Sequence, residues 1–322
     1  RPWLLVAGAA LAMALRAPVY LTQPNFWAEE GMLYFAVAWE RPLGEALTFR
    51  VAGYLLLWAN LATTLAAGLV RAGLVPLTHA PQVTALCALV AQLIPVAVIA
   101  WSRAPFWGGT LRRTVGIGLL LVGVLTDEVW LNTVNSQPWL VLAAVLLLLE
   151  PPAESRTRRV ASAAVLALAG LSAPVMSALA PLFAWRAWRT RTRSTLVEAA
   201  VVLAGALVQV FCVWWAIRGG QQLPARGVGV DLGGFAAAIW MRTLVLPLAG
   251  VGASQEVGQL IMQRGGIGPA PGAVLLVVGG ACLGWLGRGL RADERLPLWG
   301  AYMRVTTLTS LTAIGGTALL LR

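Results

Sequence analysis

The 322 residues are 59% hydrophobic and 11% charged, with a formal net charge of +11 and a mean hydropathy of +0.77, against about 25% charged residues in ordinary soluble domains. This balance excludes a water-soluble globular class and points to an integral membrane protein. The basic surplus does not indicate nucleic acid, because the arginines flank apolar runs, the pattern expected of loops facing the cytoplasm.

The predicted spans, taken in order, cover 2–21, 52–70, 82–101, 114–126, 138–150, 160–185, 195–217, 236–252, 272–290 and 298–321. The expected fold is therefore an all-α, polytopic transmembrane helix bundle of about nine to eleven spans, some short or broken. One transmembrane domain is expected over 1–322. The first run, Pro2 to Leu15, has no clear small-residue cleavage site after it and reads as a membrane helix rather than a leader. The chain opens on Arg1 and closes within or just after an apolar run, so flanking residues are expected at either end.

Sidedness follows from arginine. Clusters at 103–113, 156–159, 186–193 and 288–295 are expected in the cytoplasm, which puts 22–50, 126–137 and 218–234 on the outer side of a bacterial cytoplasmic membrane. Two segments strain this assignment. Residues 51–102 must cross an odd number of times yet hold two apolar runs, and 160–185 must leave and return on one side. A broken hairpin at Gly170-Leu-Ser-Ala-Pro174 accounts for the second, since Gly and Pro interrupt a helix there.

Chemistry concentrates in the outer loop 22–50. Asn25-Phe-Trp-Ala-Glu-Glu-Gly-Met-Leu-Tyr-Phe35 sets two adjacent carboxylates among aromatic rings, where a low dielectric raises a carboxylate's pKa or holds it as a base. Glu29 and Glu30 are the candidate catalytic acids, with Trp27 beside them. The plainer reading of the same stretch is an interfacial amphipathic helix whose acids face water. In Thr126 to Trp139, Asp127, Glu128, Asn132, Asn135 and Gln137 interrupt apolar sequence with groups suited to sugar hydroxyls, and Trp130 and Trp139 supply stacking faces; a solvated turn is the alternative. Arg226 and Arg242, with Arg218 and Arg264, are isolated cations that pair with phosphate or with lipid headgroups.

The remaining motifs carry less. His79 is the sole histidine and no GxSxG accompanies it. Cys87, Cys212 and Cys282 show no CxxC spacing, so neither a disulfide framework nor a zinc site is expected.

The order of these features resembles the GT-C superfamily of polytopic membrane glycosyltransferases, which take a sugar from a polyprenyl-phosphate carrier. The likeness rests on Phe26-Trp-Ala-Glu-Glu-Gly31, on Gly53-Tyr54-Leu55 and on Asn132 to Trp139, and covers mainly the first 150 residues. It implies that Glu29 or Glu30 is the catalytic base, that Tyr54 lies at the substrate site, and that the partners are a polyprenyl-phosphate sugar donor, a glycan or lipid acceptor and membrane lipids, with no nucleic acid. The chain has a Glu-Glu pair where that superfamily usually has Asp, no large C-terminal soluble domain, and no DxD to bind a metal. No cofactor is therefore expected, a divalent ion having no motif to support it. A transporter or flippase for a lipid-linked glycan, and a non-catalytic membrane subunit of an envelope complex, are the competing functions.

Overall fold

The computed structural model describes residues 2–16, 18–23, 25–27, 29–123, 130–219, 256, 258 and 259. The chain divides into two compact units, Arg1–Pro224 and Ala225–Arg322, where the sequence reads as one domain. The expected spans at 236–252, 272–290 and 298–321 lie outside the described residues.

The described chain is mostly helical. Its α-helices are α1 (Pro2–Arg16), α2 (Val19–Thr22), α3 (Ala36–Glu40), α4 (Leu43–Leu47), α5 (Leu57–Arg71), α6 (Ala80–Ala100), α7 (Thr110–Gly123), α8 (Gln137–Leu149), α9 (Arg156–Ser172), α10 (Ala180–Thr190) and α11 (Arg193–Arg218). Among the described residues two helical stretches are long and apolar enough to cross a membrane, Leu77–Ala100 and Arg193–Arg218. Their ends follow from local chemistry. The Thr192 hydroxyl accepts from the Thr195 N–H at 3.3 Å and starts α11, as Ser155 does for α9 through the Arg158 N–H at 3.3 Å.

Side-chain contacts give the helices a common axis with two chemically distinct ends. At one end, Trp3 of α1 meets Trp101 just past α6, with ring centroids 4.5 Å apart. Arg113 of α7 donates to the Ala100 carbonyl at 3.0 Å and the Ser102 carbonyl at 2.9 Å. Glu150, after α8, accepts from the Arg103 N–H at 2.9 Å. Arg158 of α9 donates to the Trp101 carbonyl at 3.2 Å. At the other end, Arg16 of α1 lies over the Trp130 ring at 4.5 Å, and the start of α6 meets the segments holding Glu30 and Thr133. By these contacts α1, α6, α7, α8 and α9 run alternately between the two ends, and the arginines Arg103, Arg113, Arg158 and Arg186 lie at the first.

Segments 51–102 and 160–185 each hold a break in the helical chain. The expected span 52–70 opens with a two-stranded hairpin, Arg50–Val51 against Tyr54–Leu55, turned at Ala52 and Gly53, both with positive φ. Only then does α5 begin. Ala59 near its start packs with Tyr34 and Val134, and Ala66 and Ala67 near its close pack with Phe35 and Ala80. Both ends of α5 thus stay near the acidic loop, whereas α6 runs from Thr84, beside Glu30, to Ala100, beside Arg113. In 160–185, α9 stops at Ser172 and a 3₁₀ segment, Pro174–Leu179, leads into α10, because Pro174 supplies no N–H and disfavours helical geometry at Ala173. Arg186 of α10 then donates to the Leu147 carbonyl at 3.0 Å, at the same end as Arg158. The broken hairpin is where the sequence places it.

The break sets the depth of the core. Gly170 of α9 crosses Gly205 of α11 so closely that a Cβ on Gly205 would sit 3.0 Å from the Gly170 Cα. Gln209, one helical turn further along α11, donates to the Gly170 carbonyl at 3.1 Å and the Leu55 carbonyl at 3.0 Å, while its oxygen accepts from the Leu55 N–H at 3.1 Å. One side chain therefore ties the hairpin, α9 and α11 together.

Candidate functional site

The loop 22–50 is largely folded. From Glu30 to Phe35 the backbone winds as a wide π-helical turn before α3, a geometry that often marks functional positions. The two neighbouring acids at its start differ in burial. Glu29 is exposed, whereas Glu30 is 2% exposed.

Glu30 points inward to the turn that precedes α8. One carboxylate oxygen accepts from the Thr133 N–H at 3.2 Å and from the Thr133 hydroxyl, and the other lies 3.2 Å from the Thr84 hydroxyl of α6. Segments 103 residues apart are joined at this one group. Burial raises the Glu30 pKa above its ordinary 4.5, outweighing the hydrogen bonds, which lower it. The geometry around Thr84 agrees. Its hydroxyl has one proton and two oxygens in reach, Glu30 at 3.2 Å and the Pro81 carbonyl at 3.0 Å. A neutral Glu30 satisfies all three by donating its own proton to Thr84, which then donates to Pro81.

Glu29 stays at the surface, close enough to Tyr34 for its charge to add to the burial and to the Tyr54 contribution that push the phenol pKa upward. Tyr34 is buried, edge-on to Phe49 with centroids 5.7 Å apart, and neutral. Tyr54 packs on the same cluster as Tyr34, Leu56, Ala59 and Val134, so the resemblance-derived Tyr54 and the acid-bearing turn do share a neighbourhood. Trp27 is half-buried, and its carbonyl accepts the Glu30 N–H at 2.7 Å.

Asn132 is buried, and its side-chain Oδ1 accepts from the Val134 N–H at 2.9 Å and the Asn135 N–H at 3.3 Å, which shapes the turn. Asn135 and Gln137 are half-buried, and Gln137 donates back to the Val134 carbonyl at 3.1 Å. Trp130 and Trp139 are each 1% exposed and meet edge to face at 5.3 Å, with the Arg16 guanidinium against Trp130. The stacking faces expected for a sugar are thus taken up inside the protein, since two large rings gain more from burial against each other than from exposure. Asp127, Glu128, Arg226 and Arg242 lie outside the described residues.

No family model, curated protein or solved structure matches this chain. Among the described residues no three His, Cys, Asp or Glu side chains gather as a metal site, and Cys87 and Cys212 are free thiols. Thr84 and Thr133, the partners of Glu30, and Gln209, which ties Leu55 to Gly170, are the buried polar contacts that sequence reasoning missed. Each is a single polar residue in or beside an apolar run, and intramembrane or buried polar groups require partners. That requirement flags them without naming which partner each one takes.

Proposed function

We propose that this chain is a multi-pass protein of the bacterial cytoplasmic membrane that transfers a sugar from a polyprenyl-phosphate donor to an acceptor hydroxyl on the outer face. The membrane part is supported by the alternating helices and by the gathering of arginines at one end of the bundle, the asymmetry that retains positive loops in the cytoplasm. The acidic turn then faces outward.

The observation that carries the catalytic part is the division of labour between neighbouring acids. Glu30, buried and bonded to Thr133, fixes the turn, and Glu29 stands exposed at the surface beside it. In the reaction Glu29 accepts the proton of the acceptor hydroxyl as its oxygen bonds to the anomeric carbon. The bond from that carbon to the phosphate oxygen breaks, and polyprenyl phosphate departs with the electron pair. A positioned base of this kind contributes about 10²–10⁴-fold.

The test is transfer of a radiolabelled sugar from a polyprenyl-phosphate donor by the full chain in micelles. Product forms with the natural protein and falls away with Glu29→Gln of unchanged melting temperature. Equal turnover by that variant refutes the assignment.

A further inference from the structure

The arginine-bearing end holds a second concavity that sugar transfer does not use. Between α6, α8 and α9 lies a cavity of about 410 Å³, within the size range of small-ligand sites. Val98 of α6 and Ala161 and Val165 of α9 form apolar walls, and Arg103, Arg158, Glu150 and Glu198 also line it.

The two carboxylates are engaged within the protein. Glu150 accepts from the Ser102 hydroxyl and the Arg103 N–H. Glu198 accepts from Arg186 at 3.1 Å and from the Ser194 hydroxyl at 3.1 Å. The guanidiniums are held more lightly. Arg158 gives an N–H to the Trp101 carbonyl at 3.2 Å. Arg103 pairs at 2.8 Å with Glu154, but their side chains are 48% and 81% exposed, and such surface pairs contribute about 0–1 kcal/mol. The result is an apolar slot with two lightly held guanidiniums in its lining.

We propose that this slot binds an anionic phospholipid, one acyl chain lying along α6 and α9 and the phosphate on Arg103 and Arg158. Guanidinium matches phosphate geometry, and basic pockets between helices on the cytoplasmic side take anionic headgroups. Free phosphate has no use for the apolar walls, and a zwitterionic lipid leaves a guanidinium without its counter-charge. The inference rests on the membrane part of the reading above and is independent of the transfer chemistry.

The full chain is extracted in mild detergent, washed in lipid-free micelles and examined by native mass spectrometry, with phosphatidylglycerol, phosphatidylcholine and inorganic phosphate offered in turn. About one phosphatidylglycerol per chain is retained, and the Arg103→Gln/Arg158→Gln pair lowers retention about tenfold or more, as the loss of charge-assisted hydrogen bonds requires. Ala161→Phe fills the slot without changing charge and has the same effect. Arg156→Gln, at an exposed arginine outside the slot, retains the lipid. Equal retention by natural and slot variants, equal retention of phosphatidylcholine, or binding of inorganic phosphate alone overturns the proposal. Release of the chain from membranes by alkaline carbonate overturns the membrane reading as well, whereas a carbonate-resistant chain that holds no anionic lipid refutes this inference alone.

Discussion

Substitutions at Glu30 separate a neutral structural carboxyl from a buried charge. Glu30→Ala removes the acceptor for the Thr133 N–H and hydroxyl and the partner of the Thr84 hydroxyl. Three hydrogen bonds at about 1 kcal/mol each and one buried methylene at about 0.8 kcal/mol give a loss of about 4 kcal/mol. Glu30→Gln differs in kind. Its amide oxygen accepts from Thr133 and its NH₂ donates to Thr84, reproducing the pattern of a protonated carboxyl, so the cost stays below about 1 kcal/mol. Thermal melts of the two variants and the natural protein in one detergent make the comparison. If Gln destabilises as much as Ala, Glu30 is held as an anion and the argument from Thr84 and Pro81 fails.

The same carboxyl predicts a pH dependence. Its folded pKa is raised above 4.5 by burial, so its contribution to stability is fully present below the unfolded pKa and is lost as pH rises through the folded pKa. Melting temperatures of the natural protein should therefore decline relative to Glu30→Gln as pH climbs above 4.5, and parallel curves would contradict this. Gly205→Ala forces a methyl against the Gly170 backbone at 3.0 Å; overpacking costs about 1–3 kcal/mol, partly offset by about 1 kcal/mol of helix propensity. Gly68→Ala in α5, where nothing lies within 4 Å, should be neutral or stabilising in the same melt. Arg186→Met strands the Glu198 carboxylate, now paired at 3.1 Å with both side chains largely buried, and should lower stability by about 3–5 kcal/mol; a melt unchanged from the natural protein would show the pair to be solvated.

Where apolar runs are continuous, the sequence reveals the helices directly. The windows 82–101, 138–150 and 195–217 coincide closely with α6, α8 and α11, because each is long, apolar and bounded by Pro, Ser or Thr. The Pro174 break is legible for a local reason, the missing N–H. The hairpin ahead of α5 is not, since Val51, Tyr54 and Leu55 read as apolar whether they pair as strands or continue a helix. The acid pair shows the same limit at the site. Its position in an aromatic-rich loop marks it as unusual, but adjacent residues in a loop carry no periodicity that tells inward from outward. Glu30 is buried against Thr133 and Thr84 while Glu29, one position earlier, stays exposed, a distinction that rests on tertiary packing. Thr133 as partner is likewise a long-range choice that local pattern does not encode.

The central claim is that Glu29 does chemistry while Glu30 holds the turn. Turnover of a polyprenyl-phosphate sugar by Glu29→Gln and Glu30→Gln, each normalised to folded protein, tests it most directly. The account predicts a fall of about 10²-fold or more for Glu29→Gln and a change within about tenfold for Glu30→Gln. Loss of turnover in Glu30→Gln with full activity in Glu29→Gln would contradict it.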